Sequence, residues 1–431
     1  MSNFFGTEDR NSETSNEVKA KKMESAALRR AGFVFTGVFL LATLMMRGPV
    51  TAVGPVAELI REAFGASYSD YGLLTAIPIG AFGLFSFFSP NLARRFGLRR
   101  AVLCALGILA AGAMLRAFAS LSLSWSLMLA ATVLVGAGIA FLNVYMTVVV
   151  KMTWPHRIGA MMGLYTGVIG LSGAIGGLTA APLARLAGGV SGTTSFWGAA
   201  GVAAFLLWAA FSRVGDVLRA NASSERRTGA AGGAARESIL SLAAKPMAWA
   251  LTGVMGLQSL LIYTVSAWMP PYWASLGMSA ETTGVWLFIF LVSGLPASVF
   301  TARFMQAVGS DARAVALLSC AYLLGLAGWI WGAEHAWAML PGSIFAGAAQ
   351  GAMLSVAFLL MSKKSSSDGQ MLGISSLAQG VGYLGAGFGP VIFGALFEGL
   401  GSWMPAFGFV AAAIVLWGVS GLLASLRPAI D

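Results

Sequence analysis

The chain has 431 residues, of which 57% are hydrophobic and only 10% charged, against roughly a quarter charged in ordinary soluble domains. So few charges cannot cover a water-soluble protein of this size, and the mean hydropathy of +0.78 calls for a bilayer as solvent. The net charge of +10 does not point to nucleic acid, because the basic residues gather at the ends of apolar runs.

Residues 1–30 are polar and mixed in charge, with no apolar stretch or cleavage site, and read as a cytoplasmic tail rather than a signal peptide. An apolar helix of about 20 residues crosses the hydrocarbon core. By that measure, spans are predicted at 33–61, 71–92, 101–120, 125–150, 158–183 and 196–214. Segment 215–245 is rich in Ala, Gly, Ser and Arg and reads as a flexible cytoplasmic linker. Six further spans follow at 247–269, 281–302, 313–332, 337–361, 371–396 and 403–425. The expected fold is an all-α membrane protein of twelve transmembrane helices in two six-helix bundles, 31–214 and 246–431. The fifty-five glycines suit it, since small residues let membrane helices approach closely. Cys104 and Cys320 lie inside apolar runs and read as small core residues, not a disulfide or metal pair.

Lysine and arginine set the orientation. With the amino terminus inside, 23 of the 27 fall in cytoplasmic segments, while Arg61, Arg116 and Arg185 lie near the outer side and Arg47 within the first span. Both termini are therefore expected in the cytoplasm, with the protein multi-pass in the cytoplasmic (inner) membrane.

The halves repeat. Gly65-Ala-Ser67 leads to Gly72 as Gly277-Met-Ser279 leads to Gly284, at an offset of 212 that also carries Lys151 onto Lys363, Gly173 onto Gly385 and Gly177 onto Gly389. A shared offset at three places predicts a second half that copies the first in parallel orientation.

No GxxxxGK[ST], HExxH or CxxC occurs, and His156 and His335 fall in expected loops. All seventeen acidic residues lie in the tail, the linker, short loops or span ends, with Glu58 and Glu398 nearest the core. No cofactor, metal or catalytic chemistry is expected, and no central carboxylate is available for a proton relay.

The loop after the second span reads Leu92-Ala-Arg-Arg-Phe-Gly97-Leu-Arg-Arg100. It resembles the cytoplasmic signature of the major facilitator superfamily, GxLaDrxGrr, with Arg94 where the acidic residue normally sits. Arg94, Arg95, Gly97, Arg99 and Arg100 are the expected conformational loop, and a basic anchor at the headgroups is their plainer role. Further residues narrow the resemblance: Arg47-Gly-Pro, Val53-Gly-Pro55, Gly72-Leu-Leu-Thr75-Ala-Ile-Pro78, Asn143, Lys151 and Trp154 to Tyr165. In the second half they are Leu257-Gln258-Ser259, Tyr263, Ala267-Trp268-Met-Pro270, Gln350-Gly351, Gln379-Gly-Val-Gly-Tyr383 and Gly389-Pro390. Together they resemble the cyanate/2-nitroimidazole permease branch. The resemblance implies a small solute, an anion or a small heteroaromatic, carried without covalent change.

Arg47 lies about fourteen residues from either end of its span, roughly 20 Å of helix, too far for its side chain to snorkel. It has to face a wet cavity, a partner or an anionic ligand. Asn143, Tyr165, Gln258, Tyr263, Gln350, Gln379 and Tyr383 also lie well inside their spans and are expected to line the solute path or bond across helices. The offset of 212 places Ser259, beside Gln258, across the axis from Arg47. Arg116 is expected to snorkel outward, and Trp268 and Trp403 to anchor at the interface. The expected protein is a secondary transporter working by alternating access in a lipid bilayer, coupled to a proton or a counter-anion. The alternatives are an exporter of neutral drug-like solutes or a membrane receptor without turnover.

Overall fold

The computed structural model describes residues 30, 32–86, 88–154, 157–226, 239–366 and 368–426. Almost all of the expected tail, the centre of the expected linker and His156 lie outside them. Every regular element among the described residues is a helix. The first half runs α1 (Gly32–Phe64), α2 (Tyr68–Ser86), α3 (Leu98–Ser122), α4 (Trp125–Thr153), α5 (Ile158–Leu186) and α6 (Val190–Arg226). The second runs α7 (Pro246–Ser275), α8 (Ala280–Val308), α9 (Asp311–Trp331), α10 (Met339–Lys364), α11 (Asp368–Ala386 and Phe388–Leu400) and α12 (Trp403–Leu426).

Eleven helices among the described residues are long and apolar enough to cross a bilayer. The exception is α2, whose opening Tyr68-Ser-Asp-Tyr71 lowers its hydropathy. It also ends earlier than the expected 92, and a short helix, Ser89–Phe96, takes up the remainder. In the other direction α6 runs twelve residues past the expected 214.

Gly65, Gly188, Gly189, Gly277 and Gly401 adopt positive φ and turn the chain at one end of the bundle, while Gly97 and Gly309 do so at the other. These are called the Gly65 end and the Gly97 end. Within the halves, α3 packs on α4 and α6 as α9 packs on α10 and α12. Between them, α2 meets α11 and α5 meets α8.

The repeat is visible in these contacts. A methyl group on Gly284 would lie 2.7 Å from the Gly177 carbonyl oxygen, and one on Gly72 would lie 2.9 Å from that of Pro390. The offset of 212 relates Gly72 to Gly284 and Gly177 to Gly389, the neighbour of Pro390, so the two close approaches correspond to within one residue. Near the Gly65 end, Arg185 pairs with Glu281 at 2.6 Å. Across the other seam the Ser69 backbone N–H donates to Glu398 Oε2 at 2.9 Å, and Ser69 is the repeat mate of Glu281. Gly54 and its own mate Ser266 touch, placing the axis where α1 crosses α7.

Two local expectations, for Trp268 and for the cysteines, are corrected. Trp268 is fully buried, not interfacial: its Nε1 donates to the Pro390 carbonyl at 2.9 Å, inside an aromatic cluster with Tyr71, Phe393 and Trp403. Trp403, by contrast, is half-buried at the start of α12 and stacks on Phe397, with ring centroids 3.8 Å apart. Cys104 and Cys320 are free and exposed rather than core, on helix faces that a bilayer would cover.

Candidate functional site

The first helix is not continuous. Pro49 has no N–H for the Met45 carbonyl, and its ring crowds that turn. The helix loosens over Met45–Arg47 and restarts at Gly48–Thr51, with Arg47 as its N-cap at φ −130°, ψ −38°. A second Gly-Pro pair then draws Gly54–Val56 into a 3-10 turn before the helix resumes at Ala57. Side chains from neighbouring helices take up the freed backbone groups, as a membrane interior requires. The Ser172 hydroxyl on α5 accepts from the Gly48 N–H at 2.8 Å and donates to the Leu44 carbonyl. The Thr51 hydroxyl, itself a side chain of α1, ties the segment to α5 by donating to the Gly173 carbonyl at 2.8 Å. Val53 N–H turns to Val50 O, and the Pro49 carbonyl accepts from Arg116 at 3.0 Å. Arg116 is 5% exposed, so it points inward to this break and does not snorkel as expected.

The break holds Arg47 at the wall of a cavity of about 430 Å³ between the halves. Its guanidinium lies over the Tyr263 ring, 4.7 Å from the centroid. No ion pair among the described residues includes Arg47, and Glu58 instead pairs with Arg61 at 2.6 Å. Gln258, Ser259, Tyr263, Gln350 and Tyr383 also line the cavity. Gln258 Nε2 donates to Ser259 Oγ at 2.7 Å, and Gln350 Nε2 to the Gln258 carbonyl at 3.1 Å. The cavity contains no Asp or Glu; Ile262, Phe290, Leu291 and Leu295 give it apolar walls. It extends past Thr166 on α5, Val299 on α8 and Phe358 on α10 toward the Gly97 end.

Three expected residues are not part of that wall. Tyr165 is buried behind it, its hydroxyl toward Met46 Sδ at 3.8 Å. Gln379 donates along its own helix to Ser375 at 2.9 Å. Asn143, half-buried on α4, lies elsewhere in the first bundle, although its repeat mate Ser355 does line the cavity. In the expected loop, Gly97 turns the chain at φ +77°, Arg95 and Arg100 are exposed and Arg99 is half-buried; the Arg94 side chain lies outside the description. Sequence reasoning missed Thr51 and Ser266 in the cavity wall. The signals were there: Thr51 follows a Gly-Pro break, and Ser266 is the repeat mate of Gly54.

The arrangement can bind and orient a solute, and its lining holds no nucleophile with a partnered base. The sequence matches the Major Facilitator Superfamily over residues 39–383. It is 31% identical to an uncharacterized transporter, YycB, of Bacillus subtilis (strain 168), over 90% of this chain and 92% of the relative. Identity is 28% to the 2-nitroimidazole transporter of Escherichia coli (strain K12), over 91% of this chain and 95% of the relative. It is 27% to the cyanate transport protein CynX of the same organism, over 88% and 94%. Among solved structures, a D-xylose–proton symporter shares the fold at a TM-score of 0.66 and 16% identity, over 91% of this chain and 96% of that one. An inward-facing bacterial homologue of the human lysosomal transporter Spinster does so at 0.67 and 16%, over 92% and 95%. The duplicated bundle, the cavity on its axis and the match from residue 39 to 383 agree: the chain, similar to the 2-nitroimidazole and cyanate transporters, belongs to the major facilitator superfamily and is a multi-pass membrane transporter, not an enzyme.

Proposed function

We propose that this transporter carries a small solute with an anionic or acceptor-rich planar edge by alternating access, the bundles 31–214 and 246–431 rocking about the cavity between them. The observation that carries this reading is Arg47, a charge without an ion pair among the described residues, at the wall of the central cavity. Its planar fork of donors suits cyanate or the nitro group and ring nitrogens of a nitroimidazole, the solutes in the names of two relatives. Gln258, Ser259, Tyr263, Gln350 and Tyr383 would orient the solute, and Phe290 and Leu291 would cover its faces. With no carboxylate in the cavity lining, a coupling proton would travel with the solute, or a counter-anion would exchange for it. Residues Arg94, Arg95, Gly97, Arg99 and Arg100 would steady the Gly97 end against anionic headgroups. The cavity volume, large for cyanate, favours a second reading, export of a neutral drug-like solute.

Uptake of radiolabelled cyanate and 2-nitroimidazole into liposomes separates the two. Uptake of either, competed by the other, supports the first reading; efflux of apolar dyes without uptake of either supports the second. The orientation carries its own expectation, with the Gly65 end outside the inner membrane and both termini and the 215–245 connection in the cytoplasm. Reporter fusions after Gly188, Glu334 and Gly401 should then report the outside, and fusions after Lys364 or within 215–245 the cytoplasm. A connection found outside would invert the scheme.

A further inference from the structure

The break in α1 has an unusual form: a side chain from another helix completes its missing rung. In an unbroken helix the Gly48 N–H would bond to the Leu44 carbonyl. Here both groups instead use the Ser172 hydroxyl, the first as donor to it and the second as acceptor from it. At the next residue, the orphan carbonyl of Pro49 is taken by Arg116 of α3 at 3.0 Å. The Ser172 bonds span Arg47, the last residue before the restart, and the Arg116 contact falls two residues after it. Gly176 completes the arrangement, since a methyl group there would lie 2.5 Å from both the Gly48 carbonyl and Thr51 Oγ1, so the α1 and α5 backbones are in direct contact.

Arg116 is otherwise hard to account for. It is a buried charge with no ion pair among the described residues, its Nε lacks a partner, and its one hydrogen bond ends on a backbone carbonyl. A charge so placed is costly in a membrane, and the contact it makes holds the segment that carries Arg47.

We infer that Ser172 and Arg116 are positioning residues that hold α1 open at Arg47 and so aim its guanidinium into the cavity. Without the Ser172 hydroxyl, Gly48 N–H and Leu44 O have no acceptor or donor except each other. Drawing them together takes Arg47 from φ −130° toward the helical value of roughly −63°. That turns its side chain away from Tyr263. Because α5 also carries Gly177, which meets Gly284 of α8, the same helix that shapes the solute contact forms part of the closure between the halves.

The inference rests on Arg47 as the solute contact, yet its test needs no solute. In a chain with Cys104→Ala and Cys320→Ala, Arg47→Cys reports how position 47 faces the cavity through its rate of labelling by a cationic methanethiosulfonate in detergent. Adding Ser172→Ala should slow labelling about tenfold, the factor that corresponds to roughly 1.4 kcal/mol. Ser172→Thr, which keeps the hydroxyl, should return the rate to within about twofold, as the bridging geometry would restore the same backbone. Arg116→Met should slow labelling in the same direction, and Arg116→Lys, which still donates, should recover part of it. Thermal unfolding is recorded for each variant, because a general loss of packing would not be reversed by threonine. Equal labelling with and without the serine hydroxyl would overturn the inference, as would threonine behaving like alanine. If Ser172→Ala aggregates, the Met and Lys pair at Arg116 decides it, and equal rates for those two count against it. None of these outcomes depends on uptake, so a failed solute assignment remains distinguishable.

Discussion

Arg47→Gln is expected to remove most transport while leaving a folded protein. The guanidinium sits at the cavity wall over Tyr263 with no ion pair among the described residues, so glutamine leaves no carboxylate stranded. What it removes is a charge-assisted contact to the solute, which contributes roughly 1.5–3 kcal/mol, or about ten- to a hundredfold in affinity. Arg47→Lys should recover little. One ammonium cannot reproduce the planar fork, and it would change the stacking on Tyr263. Gln258→Ala should cost less, as a neutral contact does. The measurement is uptake into liposomes, normalised to monodisperse protein. Near-normal uptake by Arg47→Gln, for every solute the parent carries, would sink the assignment and leave Arg47 a structural charge.

The depth of a residue in the membrane was legible in the sequence; the direction it faces was not. Arg47, Gln258, Tyr263, Gln350 and Tyr383 were singled out for lying deep in their spans, and all five line the cavity. Asn143, Tyr165 and Gln379 are as deep and do not line it. Depth follows from counting along a helix, whereas facing depends on how that helix is rotated. In a soluble helix polar residues mark the outer side, but here lipid and core are both apolar and the stripe that would reveal rotation is faint. Arg116 failed for the same reason. Its distance from the helix end allowed snorkelling, yet the Pro49 carbonyl lay on its inner side.

The repeat succeeded where single residues could not. An offset of 212 relates Ser259 to Arg47, and both line the cavity. The break in α1 was written in Gly48-Pro49 and Gly54-Pro55, but prolines also sit inside α2, α5, α7 and α8 without interrupting them. Whether a membrane helix kinks or breaks depends on which neighbours can bond the freed carbonyls and N–H groups. For α1 those are Ser172 and Arg116, more than sixty residues away along the chain.

Gly284→Val is expected to arrest transport by a different route, shifting the protein toward the state open at the Gly65 end. The contact it disturbs is backbone on backbone: a Cβ at Gly284 would lie 2.7 Å from the Gly177 carbonyl oxygen, and a carbonyl cannot swing aside as a side chain can. Relief requires α5 and α8 to part, and these helices belong to opposite halves. Overpacking of this kind costs roughly 1–3 kcal/mol. Charged to the closed state alone, it would move a two-state balance by about five- to a hundredfold. Gly72→Val should act likewise through the Pro390 carbonyl, which lies within one residue of the repeat-equivalent position on the other seam. The reporter is Ala181→Cys in the chain lacking Cys104 and Cys320. Ala181 is buried and borders a separate cavity of about 520 Å³ near the Gly65 end, together with Pro270, Pro271 and Glu281. Its labelling should rise about tenfold or more in Gly284→Val, with the size-exclusion profile unchanged and uptake lost. If labelling stays at the parent rate while the protein remains monodisperse, the Gly177–Gly284 approach is packing only, and the closure rests on Arg185–Glu281 and Ser69–Glu398 instead.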